Sequence, residues 1–342
     1  MKESDIATTG PSPAPVGVPD GPSDQTRSSS SPSLRDARYR TGGDTAFRWL
    51  AKAAGVLVLL LMAAVAVFLI LKAIPSVSAD KGNFFTTFSW DPQGTVVFGI
   101  AALAFGTLLS SAVALIIGVP VAVGVALFIS QYAPRSVARP LAYVVDLLAA
   151  VPSVVFGLWG AIYLSPSLIP LSKFLNKYFG WIPLFASPNQ TYGKSMLVAA
   201  VVLAVMLLPI VAAISREVFV QTPKEHMEGA LALGATKWEM IRMAVLPYGK
   251  SGVISAVVLG FGRAVGETIA VAMVLSSTYS ISWRILDPGG NTIAANIANR
   301  WGDASDTISQ GALIASGLVL FAITLVVNFG ARAVIRRGRA RA

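Results

Sequence analysis

The chain has 342 residues, of which 54% are hydrophobic and only 13% are charged, and its formal net charge is +10. This composition lies outside the usual range of soluble proteins, in which about a quarter of the residues are charged, and it indicates a membrane protein. The absence of cysteine excludes disulfides, thiolate metal sites and cysteine nucleophiles. The basic residues flank apolar segments and form no continuous stripe, so nucleic acid is not an expected partner.

The first part of the chain, residues 1–45, is rich in Ser, Pro, Gly and Thr and has almost no large apolar side chains. We expect a disordered cytoplasmic tail there, because such a segment buries too little surface to offset its ordering entropy. A six-helix transmembrane domain is predicted over residues 46–336, followed by a basic cytoplasmic tail at 337–342. The six spans are expected near residues 49–74, within 92–135, and near 141–164, 196–219, 252–276 and 308–333.

The second apolar stretch is long enough to hold either one tilted span or two. If it crosses once and the N-terminus is cytoplasmic, most of the Lys and Arg residues lie on the cytoplasmic side. We therefore predict one crossing, cytoplasmic N- and C-termini, and a cytoplasmic loop at residues 221–247. Pro120 is expected to kink this helix, and Gly118 and Gly124 to allow close packing.

The polar loop at residues 221–247 carries two helix-start patterns. Thr222 with Glu225, and Thr236 with Glu239, have the spacing of capping boxes, in which each side chain bonds the other residue's backbone N–H. Gly234 stands where the first helix needs a left-handed stop. The loop therefore predicts two short helices around a glycine hinge.

The end of the same loop resembles the permease subunits of ABC importers, whose cytoplasmic loop carries a spaced Glu, Ala, Gly, Leu and Pro pattern. The residues that match are Glu228, Ala230, Gly234, Leu246 and Pro247, whereas Gly229 and Ala244 depart from the pattern. In that family the loop docks on an ATPase subunit and transmits its closure to the membrane helices. Pro247 is also predicted to block continuation of the second short helix.

The resemblance gives these loop residues roles. Glu228 is expected to anchor the fold of the loop and its ATPase contact, and the apolar contact is expected from Met227, Leu231, Trp238 and Ile241. ATP is used by the partner ATPase, and this chain is expected to bind no cofactor. Two Gly-Lys-Ser triplets, at Gly193 and Gly249, lack the earlier glycine of a P-loop.

The fifth predicted span contains two ionisable residues, Arg263 and Glu267, at a spacing of four. Charges at membrane depth cost about 2.5 kcal/mol or more each, so they normally face a polar cavity or a partner. One interpretation is an internal ion pair that only stabilises the bundle. The other is that Arg263 presents its guanidinium to a passing oxyanion while Glu267 holds it. Gly262 and Gly266 are expected to let another helix approach closely.

A proline–serine pair, Pro152-Ser153, lies inside the third predicted span. Proline frees a backbone carbonyl one turn earlier, which a membrane tolerates only where the group is buried in protein or lines a cavity. The pair is therefore either a passage-lining break or a simple packing kink. Asp146, near the inner end of the same span, is interpreted as an interfacial or helix-terminal charge rather than a ligand.

Two runs resemble the phosphate-specific members of the ABC importer permeases: residues 262–268, Gly-Arg-Ala-Val-Gly-Glu-Thr, and residues 146–160 of the third span. Such permeases work in pairs of the PstC and PstA types. Tyr248 and the long segment 165–195 are more similar to the PstC type. The resemblance covers about residues 49–336.

The resemblance implies an all-α polytopic protein with six transmembrane helices and the type I ABC importer permease fold, in the bacterial inner membrane. It implies a non-catalytic phosphate transport subunit with three kinds of partner: a PstA-like second permease, ABC ATPase subunits, and an extracytoplasmic phosphate-binding protein docking near 165–195 and 281–306. The alternatives are a permease for another oxyanion or small polar solute, an ion-coupled secondary transporter, and a membrane scaffold. The chain shows no clear internal repeat of the kind many ion-coupled transporters have.

Overall fold

The computed structural model describes residues 42–339, so most of the predicted N-terminal tail and residues 340–342 of the basic tail lie outside the described range. Residues 60–339 belong to one compact unit, and the described residues 42–59 belong to a separate one. In chain order the helices are α1 (Gly42–Ala79), α2 (Ala101–Leu127), α3 (Arg135–Ala149), α4 (Ser153–Trp159), α5 (Ser165–Ser167), α6 (Ile169–Phe179), α7 (Met196–Val220), α8 (Lys224–Ala232), α9 (Lys237–Met240), α10 (Leu246–Val265), α11 (Ile269–Val274), α12 (Ile293–Arg300) and α13 (Thr307–Arg339).

Short turns of other helical types extend several of these helices. The π-helical turns are Phe128–Tyr132 after α2, Gly160–Leu164 between α4 and α5, and Ile241–Val245 between α9 and α10. The 3-10 turns are Pro183–Phe185 and Trp301–Asp303.

Among the described residues, five helical segments are long and apolar enough to cross a membrane, and the number is six if a bent pair of helices is one span. The straight segments are Thr45–Ala79, Ala101–Tyr132, Met196–Val220, Lys237–Val265 and Thr307–Ala333. The bent pair joins Arg135–Ala149 to Ser153–Ser167 at 89°. The first, fourth and sixth predicted spans are confirmed as helices with small changes of boundary. The second is one continuous helix, as predicted.

The third span differs from the prediction of a single helix near 141–164. The chain turns at residues 150–152, and α4 starts afresh at Ser153 with Pro152 at its N-cap. A residue before proline is disfavoured in the helical conformation, which explains why α3 ends just before this point. The 89° angle is far larger than a packing kink.

A small antiparallel hairpin, β1 (Trp90–Asp91) and β2 (Val97–Phe98), is an exception to the predicted all-α fold. The Asp91 carboxylate shapes its turn by accepting hydrogen bonds from the N–H groups of Thr95, at 2.8 Å, and Gly94, at 3.0 Å. These bonds, together with that of the Thr95 hydroxyl, hold the pKa of Asp91 below its usual value.

The core of the bundle is the contact between α2 and α7. Ala114 of α2 and Leu203 and Leu207 of α7 are almost fully buried in one cluster. Gly118 allows the two backbones to approach, since an added Cβ would lie 2.7 Å from Cδ1 of Leu207. Gly124 does not have this role within the described chain, because a Cβ there would meet nothing within 4 Å.

The loops at the N-terminal end of α7 are joined by backbone hydrogen bonds. The N–H of Leu197 donates to the carbonyl of Ile285 at 2.9 Å, and the N–H of Gly289 donates to the carbonyl of Lys194 at 3.1 Å. The Thr107 hydroxyl of α2 accepts from the N–H of Ile293 at 3.0 Å. The segments near 184–195 and 285–293 therefore form one connected surface fixed to the bundle.

Candidate functional site

The loop between α7 and α10 contains the two short helices α8 and α9. Between them, the N–H of Gly234 donates to the carbonyl of Leu231 at 2.9 Å, and the N–H of Ala235 donates to that of Ala230 at 3.2 Å. These bonds form a Schellman motif, which requires a left-handed residue, and Gly234 has φ of +84°. The predicted left-handed stop is confirmed, and the turn has a defined hydrogen-bonded geometry.

Only one of the two predicted capping boxes forms. The Glu239 N–H donates to Oγ1 of Thr236 at 3.3 Å, and the Thr236 N–H donates to the Glu239 carboxylate at 2.8 Å. The prediction for Thr222 and Glu225 is wrong, because α8 begins one residue later than expected, with Pro223 at the N-cap. The Thr222 side chain is buried, and its hydroxyl has no partner among the described residues.

The second short helix does not stop before Pro247. The N–H of Leu246 bonds to the carbonyl of Ile241, and this π-helical turn carries α9 into α10. The wider turn shifts the hydrogen-bond register next to Pro247, which has no N–H to donate. The predicted block is therefore wrong, and Lys237–Val265 is a single helical segment of 29 residues.

The loop presents a different apolar surface from the one predicted. Ile241 is fully buried and Met227 partly buried, where both pack in a cluster around Phe219. Trp238 is 56% exposed, and Leu231 is exposed as predicted. Leu233, at 90% exposure, was missed in the sequence, although its position directly before the helix-stopping glycine was an available signal.

The family-pattern residues divide between the outside and the base of the loop. Glu228 is exposed, and its carboxylate makes no ion pair with a described residue. Ala230 and Leu246 pack against the Phe219 cluster. Pro247 is exposed at the start of α10. Lys237 lies over the Tyr132 ring at 4.8 Å, which connects α9 to the end of α2.

The fifth span breaks between its two ionisable residues. Since α10 ends at Val265, the prediction that Arg263 and Glu267 share one helical face is wrong. Glu267 is buried, and its carboxylate accepts from the N–H of Ala270 at 3.3 Å at the start of α11. Gly266 directly follows the last residue of α10, and glycine favours the end of a helix at this position.

The two ion pairs among the described residues are Arg216–Asp146, at 3.7 Å, and Arg284–Asp287, at 4.0 Å. Neither involves Arg263, so the structure shows no pairing with Glu267 in the described chain. Asp146 lies on α3 and links it to the end of α7. Asp146, interpreted from the sequence as an interfacial or helix-terminal charge, was not predicted to make this contact.

Arg263 instead lines a cavity of about 740 Å³. Around it lie Ile210 of α7, residues of α10, and Asn328 and Arg332 of α13. Gly262 also lines the cavity, and an added Cβ there would meet nothing within 4 Å. The expected helix packing at Gly262 is therefore not seen within the described chain, and its backbone faces open space.

Pro152 and Ser153 do not line the cavity that contains Arg263. The helix that they start packs against α11, the short helix after the break in the fifth span. An added Cβ at Gly157 would lie 2.6 Å from Cα of Ala270. The broken ends of the third and fifth spans are thus in direct contact.

A bundle whose helical segments are long and apolar enough to cross a membrane, and which displays a capped helix pair and places an arginine in a cavity, has the framework of a membrane transport protein. Residues 118–340 match the family described as "Binding-protein-dependent transport system inner membrane component". The chain belongs to this family and is a multi-pass membrane protein. Its relatives are named as permease proteins of transport systems.

The relatives are similar over most of their length. A protein of Mycobacterium tuberculosis, named "Phosphate transport system permease protein PstC 2", is 47% identical over 304 residues, which are 87% of this chain and 94% of the relative. The PstC protein of Mesorhizobium japonicum is 37% identical over 316 residues, which are 90% of this chain and 95% of the relative.

The solved structures establish the type I ABC importer permease fold. A bacterial alginate ABC transporter, in complex with an alginate pentasaccharide-bound periplasmic protein, has a TM-score of 0.55 and 16% identity, and covers 87% of this chain and 98% of that one. The predicted permease fold is confirmed. Among the described residues, no group of three or more His, Asp or Glu side chains is placed to hold a metal ion.

Proposed function

We propose that the chain is one of the two transmembrane permeases of an ATP-driven phosphate importer and forms the phosphate path with a second permease of the PstA type. The names of the Mycobacterium tuberculosis and Mesorhizobium japonicum relatives support phosphate as the substrate. The chemistry of Arg263 also supports it, because a planar guanidinium can give two parallel hydrogen bonds to a tetrahedral oxyanion.

One observation carries the coupling mechanism: a single helical segment of 29 residues runs from Lys237, in the exposed loop, to Val265, beside Arg263. At 1.5 Å per residue it is about 43 Å long. A helix of this kind transmits a displacement of its loop end to its far end. ATP binding in the partner ATPases would thereby move Arg263 and switch the side on which the path opens.

The loop supplies the ATPase contact in this proposal. Leu233 and Trp238 are exposed apolar side chains that fit an apolar groove, and the exposed Glu228 carboxylate of the same loop is available to a basic partner group. Gly234 fixes the angle between α8 and α9. Ala230, Leu246 and Pro247 join the loop to the bundle, so a force on the loop reaches the membrane helices.

The broken spans complete the path. Glu267 stabilises the break after α10, and Pro152 with Ser153 sets the bend before α4. Because α4 packs on α11, both breaks belong to one joint that adjusts when α10 moves. The passage-lining role of Pro152 and Ser153 stays a prediction.

The proposed orientation places both termini and the loop at 221–247 in the cytoplasm, as the distribution of basic residues favours. An extracytoplasmic phosphate-binding protein then meets the connected surface near 184–195 and 285–293. Trp181 and Trp283 are 80% and 60% exposed there, and exposed tryptophans are enriched at protein interfaces.

Reconstitution tests this proposal. The complex with its second permease and ATPases, in liposomes, is expected to take up radiolabelled phosphate only with ATP and the binding protein. Arg263→Gln is expected to lower uptake by about tenfold or more, the size of one lost charge-assisted hydrogen bond. Lys250→Gln, which removes an exposed charge from the same helix, is the matched control and is expected to keep full uptake. Uptake of another oxyanion in preference to phosphate would contradict the substrate, and uptake without ATP would contradict the coupling.

A further inference from the structure

The cavity beside Arg263 contains a second arginine that the sequence did not single out. Arg332 lies on α13, four residues after Asn328, so the two side chains share one face of that helix. This face is turned toward the cavity that Arg263 lines from α10. The cavity is therefore lined by two arginines and one asparagine from two helices.

The charges in the cavity are unbalanced. Of the described residues that line it, two are arginines and none is a carboxylate. Neither arginine takes part in an ion pair with another described residue. Two like charges near one cavity of low dielectric repel each other, and a bound anion relieves that repulsion.

The lining also leaves room for a ligand. The cavity has a volume of about 740 Å³, and the small residues Gly262 and Ala331 form part of its wall. Nothing lies within 4 Å of an added Cβ at Gly262, so the space next to Arg263 is open. The side-chain amide of Asn328, which also lines the cavity, can donate a hydrogen bond to an anion oxygen.

We propose that Arg263, Asn328 and Arg332 form a binding site for a phosphate group, in which Arg332 is the second cationic ligand. This inference rests on the proposed function, because it places a second phosphate contact on the same path. Arg332 lies 25 residues after Thr307 on α13, about 38 Å along the helix, at the end of the candidate span Thr307–Ala333. In the proposed orientation this end is cytoplasmic, so Arg332 extends the site from Arg263 toward the cytoplasmic side of the path.

The phosphate group can come from free inorganic phosphate or from a phospholipid headgroup, since the end of a membrane span lies near both. Arginine modification by phenylglyoxal separates these sources. The whole transporter complex is purified in a maltoside detergent, which contains no phosphate, and modification of Arg263 and Arg332 is followed by peptide mass spectrometry. One sample receives inorganic phosphate, another phosphatidylglycerol, and a third neither.

The expected result is that inorganic phosphate protects Arg263 and Arg332 together. In Arg332→Gln, the phosphate concentration that protects Arg263 is expected to rise by about tenfold, which corresponds to about 1.4 kcal/mol. For Arg332→Lys, this protecting concentration is expected to lie between those of Arg332→Gln and the unsubstituted chain. The control Lys250→Gln is expected to need the same concentration as the unsubstituted chain. Gly262→Leu fills the open space and is expected to abolish the protection while the complex still assembles.

Protection by phosphatidylglycerol alone would assign the site to a lipid headgroup and would still support a phosphate-group site. Protection of neither arginine, or protection of Arg263 that Arg332→Gln leaves unchanged, would overturn the inference. If the complex takes up phosphate but shows no protection, the inference fails and the proposed function stands. If another oxyanion is both transported and protective while phosphate is neither, the proposed substrate fails.

Discussion

The two faces of α10 show opposite uses of the same residue type. On the face toward α7, an added Cβ at Gly249 would lie 2.6 Å from the Phe219 ring, and one at Gly252 would lie 2.4 Å from Val218. On the other face, a Cβ at Gly262 would meet nothing within 4 Å. The first face joins α10 to the bundle by close backbone packing, and the second opens α10 to the arginine cavity.

The two faces of α10 therefore have different roles: one packs against the bundle, and the other lines the cavity. Close packing of α10 against α7 leaves no room for a side chain at Gly249 or Gly252, so glycine is required at both positions. An open glycine beside a cavity keeps space for something that the chain does not supply itself. The same helix can thus be fixed to the bundle on one side and accept a ligand or a partner on the other.

Adding one methyl group to each face of α10 tests whether the two faces differ in their tolerance of a side chain. Gly252→Ala is expected to destabilise the purified complex by about 1–3 kcal/mol, because the new methyl overlaps Val218. Gly262→Ala is expected to be neutral or to stabilise by up to about 1 kcal/mol, since alanine favours the helix and meets no neighbour. Thermal unfolding of the complex measures both, and equal effects at the two positions would show that the faces do not differ.

Gly234 is a third kind of glycine: there is space for a side chain, but the backbone conformation disfavours any residue other than glycine. An added Cβ would meet nothing within 4 Å, yet φ is +84°. Gly234→Val is expected to strain the turn by about 1–2 kcal/mol and to uncouple ATP hydrolysis from phosphate uptake. Gly234→Asn is the matched control, since asparagine adopts the left-handed conformation more readily, and it is expected to keep most of the coupling. Normal coupled uptake by the valine variant would exclude a role for the turn geometry.

Much of this architecture could be predicted from local patterns. Long uncharged runs determined where the membrane helices lie, and the position of Gly234 indicated its left-handed turn. Both follow from the residues themselves, because burial in lipid and a positive φ each demand particular residue types. The capping box at Thr236 could also be predicted, because the spacing of Thr236 and Glu239 is local to the sequence.

The errors arise where one residue's conformation depends on distant contacts. The pattern of Arg263 and Glu267 fits a continuous helix, but α10 stops at Val265, and the short α11 packs against α4 instead. Arg332 looked like one more basic residue near a membrane edge, and only the approach of α13 to α10 places it in the cavity with Arg263. Spacing along the chain carries no information about that approach.

The smallest expected effects concern two threonine hydroxyls of the loop at residues 221–247. Thr236 caps a helix, whereas Thr222 is buried without a hydrogen-bond partner among the described residues. Thr236→Val is expected to destabilise the loop by about 1 kcal/mol, because Oγ1 caps α9 by accepting the N–H of Glu239. Thr222→Val, of nearly the same shape, is expected to be neutral or stabilising, since it removes a buried hydroxyl that has no partner among the described residues. Hydrogen exchange of the α8 and α9 amides compares the variants. If Thr222→Val raises exchange in α8 as much as Thr236→Val raises it in α9, the hydroxyl of Thr222 caps α8 in solution, and α8 begins where the sequence pattern predicts.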